Sequence, residues 1–143
     1  MITELLVASA MVLLTVSLHG SGLNLLQRLF RRHMRREKGR AFLHRPRAVV
    51  SIVLGLFVLH GIEIWLYALL YWALDAIPDI RSAVYFSTTT YGAIGYSDLA
   101  IDPDWQLVGA IEGINGVLLI GWTTAFFVTV MSRLQRRGST GPG

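Results

Sequence analysis

The residues of this chain with the means to do chemistry fall into two groups. One is the run Thr88-Thr89-Thr90-Tyr91-Gly92-Ala93-Ile94-Gly95-Tyr96-Ser97-Asp98, where hydroxyls and glycines crowd together ahead of a carboxylate. Glycine frees the backbone to aim carbonyls where other residues resist, and oxygen ligands suit hard cations. The other group is His60 with Glu63, and Glu112 with Asn115, each pair one helical turn apart. Such pairs can move a proton or brace a neighbouring element. Together with His19, His60 and Glu63 also offer metal-ligand types, but their spacing alone is a weak signature. No Ser-His-Asp order or nucleophile elbow accompanies the Ser/Thr run, which therefore reads as helix packing and loop support.

The elements that must position these groups follow from composition. Of 143 residues, 53% are hydrophobic and only 15% charged, with a mean hydropathy of +0.52. Soluble domains usually carry about a quarter charged residues, so the chain reads as a membrane protein. The absence of cysteine removes disulfides, thiolate metal sites and cysteine nucleophiles. A bilayer core needs roughly 20 mostly apolar residues per helix, and three segments qualify: about 2–29, softened at His19-Gly20-Ser21-Gly22, then 48–74 and 105–131. The first reads as a membrane span rather than a secretory signal, because its opening Met1-Ile2-Thr3-Glu4 lacks positive charge and the basic cluster follows the apolar run.

Charge then sets an expected topology. Of 13 Lys and Arg residues, nine lie from Arg28 to Arg47 and three from Arg133 to Arg137, while five of nine acids lie from Asp75 to Asp104. Basic loops stay cytoplasmic. The N-terminus and the 75–104 segment are thus expected outside, and the 31–47 loop and C-terminus inside, in a cell membrane. Flanked by apolar spans, the basic loop suits anionic lipid headgroups rather than nucleic acid. Trp65, Tyr67, Tyr71, Trp72 and Trp105 suit an interfacial belt, or simple packing. The tail 135–143 is expected to be disordered.

Between the second and third spans, Pro78-Asp79 opens a helix of about a dozen residues, roughly 18 Å long and too short to cross a bilayer. The irregular Gly92–Ser97 backbone that follows cannot face lipid, so it must be buried in protein or line a water-filled path. A re-entrant loop satisfies both.

This order of span, half-helix, loop and span resembles the tetrameric potassium-channel pore family over roughly residues 48–134. Ala93-Ile94-Gly95-Tyr96-Ser97-Asp98 is similar to that family's filter motif Thr-Val-Gly-Tyr-Gly-Asp. Tyr85-Phe86-Ser87 stands where the family has its aromatic pair and serine. The resemblance implies an all-α membrane protein with three transmembrane helices, a re-entrant pore helix (79–91) and a filter loop (93–98), assembled as a homotetramer. Residues 1–30 add an N-terminal span, ahead of an outer helix (48–74) and an inner helix (105–131). It further implies a passive cation channel and no enzyme. Permeant potassium would be bound by carbonyl rings from Ala93, Ile94, Gly95 and Tyr96, with Ser97 at the outermost site, and no cofactor or other metal is implied.

The same resemblance gives Gly116 the gating hinge. It makes Tyr85, Thr89, Thr90 and Asp98 supports of the filter, with Asp98 and Tyr85 paired behind it. Glu63 and Glu112 lie at depths where they would brace the filter from behind or act as a proton-sensitive gate, with a protonated or hydrogen-bonded packing role as the alternative. Ala93 replaces a threonine whose hydroxyl helps build the innermost site, and Ser97 replaces a glycine in a left-handed conformation. Reduced discrimination between potassium and sodium is therefore expected. Two other readings stand beside this one: a non-conducting scaffold with a degenerate loop, and an intramembrane enzyme using His60 and Glu63, which leaves 79–98 unexplained.

Overall fold

A computed structural model describes residues 1–36, 45–95 and 101–139. It is all-helical. α1 (Ile2–Arg36), α2 (Arg45–Ala73) and α4 (Gln106–Ser139) are long, and α3 (Ile80–Tyr91) is the short intervening helix, with a 3-10 turn at Pro103–Trp105 leading into α4. Three segments, Ile2–Arg32, Val49–Ala73 and Pro103–Arg133, have the length and apolar composition to cross a membrane. The expected 31–47 loop is narrower, since helix runs to Arg36 and resumes at Arg45; residues 37–44 lie outside the described residues. The expected tail is helical through Ser139, and residues 140–143 lie outside the described residues.

α1 does not break at His19-Gly20-Ser21-Gly22. It contains no proline, and its glycines serve close packing: a Cβ at Gly22 would stand 2.5 Å from Leu59 on α2, and one at Gly20 would stand 3.2 Å from Trp122 on α4. The pairs Thr15–Asn115 and His19–Thr123 run in the same sense along α1 and α4. These two helices are parallel, and α2 is antiparallel to both. One apolar cluster joins Ala8 and Met11 of α1, Tyr67, Ala68 and Tyr71 of α2, Ala83 and Phe86 of α3, and Val108 of α4. A second, at the opposite end, joins Leu23, Ile52, Leu56, Leu59 and Val130. A polar layer lies between them.

α3 starts where Asp79, in extended conformation, accepts hydrogen bonds from the Ser82 backbone N–H and hydroxyl, both at 2.8 Å. That satisfies donors a helix N-terminus leaves free. The two flanks of the excursion are tied together, as Asp102 N–H donates to the Ala76 carbonyl at 3.2 Å. From there α3 descends between α2 and α4 until Tyr91 meets His60, roughly 20 Å from the end of α2.

Trp65 and Trp72 are half exposed and suit a lipid boundary, but Tyr67 and Tyr71 do not join them. Both are fully buried and turn inward, because each hydroxyl finds a partner in the polar layer: Tyr67 with Asn115 and Tyr71 with Glu112.

Candidate functional site

The loop after α3 is built by the last turn of that helix. Gly92 N–H donates to the Thr88 carbonyl at 3.1 Å, Ala93 N–H to Thr90 at 3.0 Å, and Ile94 N–H to Thr89 at 2.8 Å. The chain turns through positive φ at Ala93 (53°) and again at Gly95 (72°). For glycine this conformation is unstrained, whereas for alanine it costs roughly 1–2 kcal/mol. Gly92, Ala93, Ile94 and Gly95 are all exposed on the single chain. Tyr96, Ser97 and Asp98 lie outside the described residues, and with them the expected Asp98–Tyr85 pairing. Tyr85 itself is half exposed.

Behind the loop the threonines work on their own helix. Thr89 Oγ1 donates back to the Tyr85 and Phe86 carbonyls and Thr88 Oγ1 to Val84, a local pattern that leaves the loop to the backbone. The Thr90 carbonyl faces Gly113 at ordinary contact distance for an added Cβ, 3.4 Å. Gly116 is tighter, since a Cβ there would overlap the Tyr91 carbonyl. The absence of a side chain at Gly116 is what lets the end of α3 touch the backbone of α4. Close approach gives this glycine a packing role.

Glu63 and Glu112 are both fully buried, and each holds α3 from a different helix. Glu112, on α4, accepts from Tyr71 on α2 and from Ser87 on α3, each at 2.5 Å. Ser87 also contacts the Ile64 carbonyl at 2.9 Å. Glu63, on α2, accepts from Tyr91 at 2.5 Å and from His19 on α1 at 2.9 Å. His60 contacts Tyr91 through Nδ1 and Thr123 through Nε2, both at 2.9 Å. Asn115 donates to Thr15 and Tyr67 at 2.8 and 3.2 Å. Among the described residues no buried polar side-chain atom lacks a partner, which matters at membrane depth, where lipid offers no hydrogen bond.

His19, His60 and Glu63 offer ligand atoms within 4.8 Å of one another. Those atoms already bond to each other, to Tyr91 and to Thr123. The 2.9 Å between His19 Nδ1 and Glu63 Oε1 is a hydrogen-bond length, whereas two ligands of a tetrahedral zinc ion stand about 3.3 Å apart. The arrangement is that of a hydrogen-bonded ring.

Sequence reasoning singled out His60, Glu63, Glu112 and Asn115 but missed Tyr67, Tyr71, Tyr91, Thr15 and Thr123 as their partners. A signal existed. His60, Glu63, Tyr67 and Tyr71 recur at helical spacing on one face of α2, and Thr15 and His19 do so on α1.

Residues 52–133, more than half of the chain, match the model of a family described as ion channel. No curated protein and no solved structure matches the chain.

Proposed function

The chain belongs to the ion channel family, and from that premise we propose that four copies form a passive potassium channel in a cell membrane. The observation that carries this reading is the half-helix α3. It enters between α2 and α4, ends at mid-depth and gives way to an exposed turn at Ala93-Ile94-Gly95. One such turn cannot surround an ion, but four about a rotational axis can. The motif Gly95-Tyr96-Ser97-Asp98 supports potassium as the permeant ion. Carbonyls of Ala93 to Tyr96 replace its hydration shell, with Ser97 at the outer site.

Electrostatics favours a cation at each stage. The C-terminal end of α3 carries partial negative charge directed toward the axis, and the acids between 75 and 104 concentrate cations at the outer mouth. With the basic 31–47 segment and the C-terminus inside, the basic residues meet anionic lipid headgroups. Ala93 brings no hydroxyl to the innermost site, so discrimination against sodium is reduced.

Flux into liposomes containing purified protein tests the reading, with potassium, sodium and a large organic cation compared. Potassium uptake above sodium, with the organic cation excluded, is the expected result. Equal uptake of both small ions keeps the channel and removes its selectivity. No flux from a verified tetramer would overturn the reading in favour of a non-conducting scaffold.

A further inference from the structure

At the heart of the polar layer, five side chains from all four helices close a ring. His19 Nδ1 meets Glu63 Oε1, Glu63 Oε2 meets the Tyr91 hydroxyl, and that hydroxyl meets His60 Nδ1. His60 Nε2 then meets the Thr123 hydroxyl, which returns to His19 Nε2 at 3.2 Å. His19 and Glu63 are wholly buried, Tyr91 is nearly so, and His60 is the most open member, with 18% of its side chain exposed. His60 Nδ1 also approaches Glu63 Oε2 at 3.3 Å, sharing the hydrogen it gives to Tyr91.

Hydrogens can be counted around this ring. Each of its five contacts needs one hydrogen between the two heavy atoms. An ionised Glu63 brings none, while Tyr91, Thr123 and each neutral imidazole bring one apiece. The ring is therefore one hydrogen short. The shortage falls between the imidazoles, where Thr123 has a single hydrogen and faces two Nε2 atoms. In that state the ring also carries a net negative charge at membrane depth, which is costly. One added proton removes both defects, completing the fifth bond and making the ring neutral, either as carboxylate with imidazolium or as carboxylic acid with two neutral imidazoles.

We propose that this ring is a binding site for one proton, and that the bound proton fastens the end of the pore helix to α1, α2 and α4. Tyr91 is the last residue of α3, directly before the exposed turn, so loss of the proton loosens the point from which that turn is held. The other ionisable groups on the facing helices are occupied elsewhere, Glu112 with Tyr71 and Ser87, and Tyr67 with Asn115. The effect on flux rests on the channel reading; the binding of the proton does not.

Two substitutions remove the shortage by different routes. Glu63→Gln supplies an amide hydrogen, so neutral groups alone can complete all five bonds in one direction around the ring. Thr123→Val, close in shape, deletes two contacts, and the three that remain need only the hydrogens His19, Tyr91 and His60 already have. The experiment is thermal unfolding of detergent-purified protein between about pH 7.5 and pH 9, where free carboxylates are ionised and free imidazoles mostly neutral. The folded wild type then holds more protons than its unfolded chain, so its stability falls as pH rises, up to tenfold in the folding equilibrium per pH unit. Glu63→Gln is expected to lack that extra slope, Thr123→Val, which keeps the buried carboxylate, to show a smaller one, and Thr123→Ser, which keeps the hydroxyl, to retain it in full. A wild-type profile parallel to both variants would overturn the proposal. So would binding of about one zinc ion per chain that Glu63→Gln abolishes, since the cluster would then be a metal centre. Should both variants fail to fold, Glu112→Gln with the ring intact decides, since it removes the other buried carboxyl: its unfolding in weakly buffered solution near pH 8 should release about one proton per chain, and release of none refutes the site.

Discussion

Replacing Gly116 with alanine should damage this protein out of proportion to the single methyl added. The new Cβ would overlap the Tyr91 carbonyl and lie 2.8 Å from its carbon and 2.9 Å from its Cα. Both sides of that contact are backbone, so no rotamer change relieves it. Restoring an ordinary 3.4–4 Å contact requires α3 and α4 to part by well over an ångström. Overpacking of a close-packed interior costs about 1–3 kcal/mol, occasionally more, and a backbone-on-backbone clash belongs at the upper end. Alanine recovers about 1 kcal/mol by its greater helix propensity, leaving a net loss of about 2 kcal/mol. For a chain of this size, that lowers the thermal midpoint by roughly 4–8 °C. Gly113→Ala is the matched control, because its Cβ would meet the Thr90 carbonyl at an ordinary 3.4 Å and the propensity gain should prevail. Thermal unfolding in detergent and potassium flux in liposomes would be measured on both. If Gly116→Ala unfolds at the same temperature as Gly113→Ala but conducts differently, the close-approach argument fails and a hinge at Gly116 becomes the better account.

Three other outcomes are expected. Glu112→Gln should keep most of the stability, because the amide still accepts from Tyr71 and can donate to Ser87, whereas Glu112→Ala should cost about 1–3 kcal/mol by stranding the Tyr71 hydroxyl, Ser87 still reaching the Ile64 carbonyl; chemical unfolding of the two variants separates these cases. Tyr91→Phe should cost about 1–3 kcal/mol by removing the hydroxyl between Glu63 and His60, with a matching fall in thermal midpoint. Asp79 is held below the usual carboxylate range by hydrogen bonds from the Ser82 hydroxyl and backbone N–H. Its contribution is therefore present above the unfolded value of about 3.9 and lost as pH falls through the lower folded value. Asp79→Ala should lower the thermal midpoint at neutral pH, with the gap from wild type closing below about pH 4.

How far the structure could be read from the sequence depended on the range of the interaction concerned. Spans were legible because an apolar run of some 20 residues has few uses besides crossing a bilayer. The start of α3 was legible because capping by Asp79 involves only residues three apart. Gly20 and Gly22 misled, since glycine as a soft point and glycine as a packing surface look alike until the neighbouring helix is known. The inward turn of Tyr67 and Tyr71 had the same cause, because amphipathic rings suit a membrane boundary and a buried polar partner equally well. The ring was half legible. His60 and Glu63 stand out as ionisable groups in an apolar span, but His19 is 44 residues from Glu63 and Thr123 is 104 from His19. Helix docking sets those pairings, not any local pattern.

The polar layer also imposes an order on how the chain is made. α1 leaves the ribosome before α4, yet Thr15 receives its hydrogen bond from Asn115, 100 residues later. At about 5–20 residues per second, synthesis of that stretch takes roughly 5–20 s. Throughout it, α1 carries an imidazole whose Thr123 partner on α4 does not yet exist, and a Thr15 hydroxyl that has only the Met11 and Val12 carbonyls of its own helix. Bare hydrocarbon is a poor place to wait for them. The nascent helix is better served by a watery or proteinaceous vestibule, entering lipid together with α4 as a closing pair. A photo-crosslinking residue at position 15 in stalled chains should therefore label the insertion machinery until Asn115 has emerged, and lose that label afterwards.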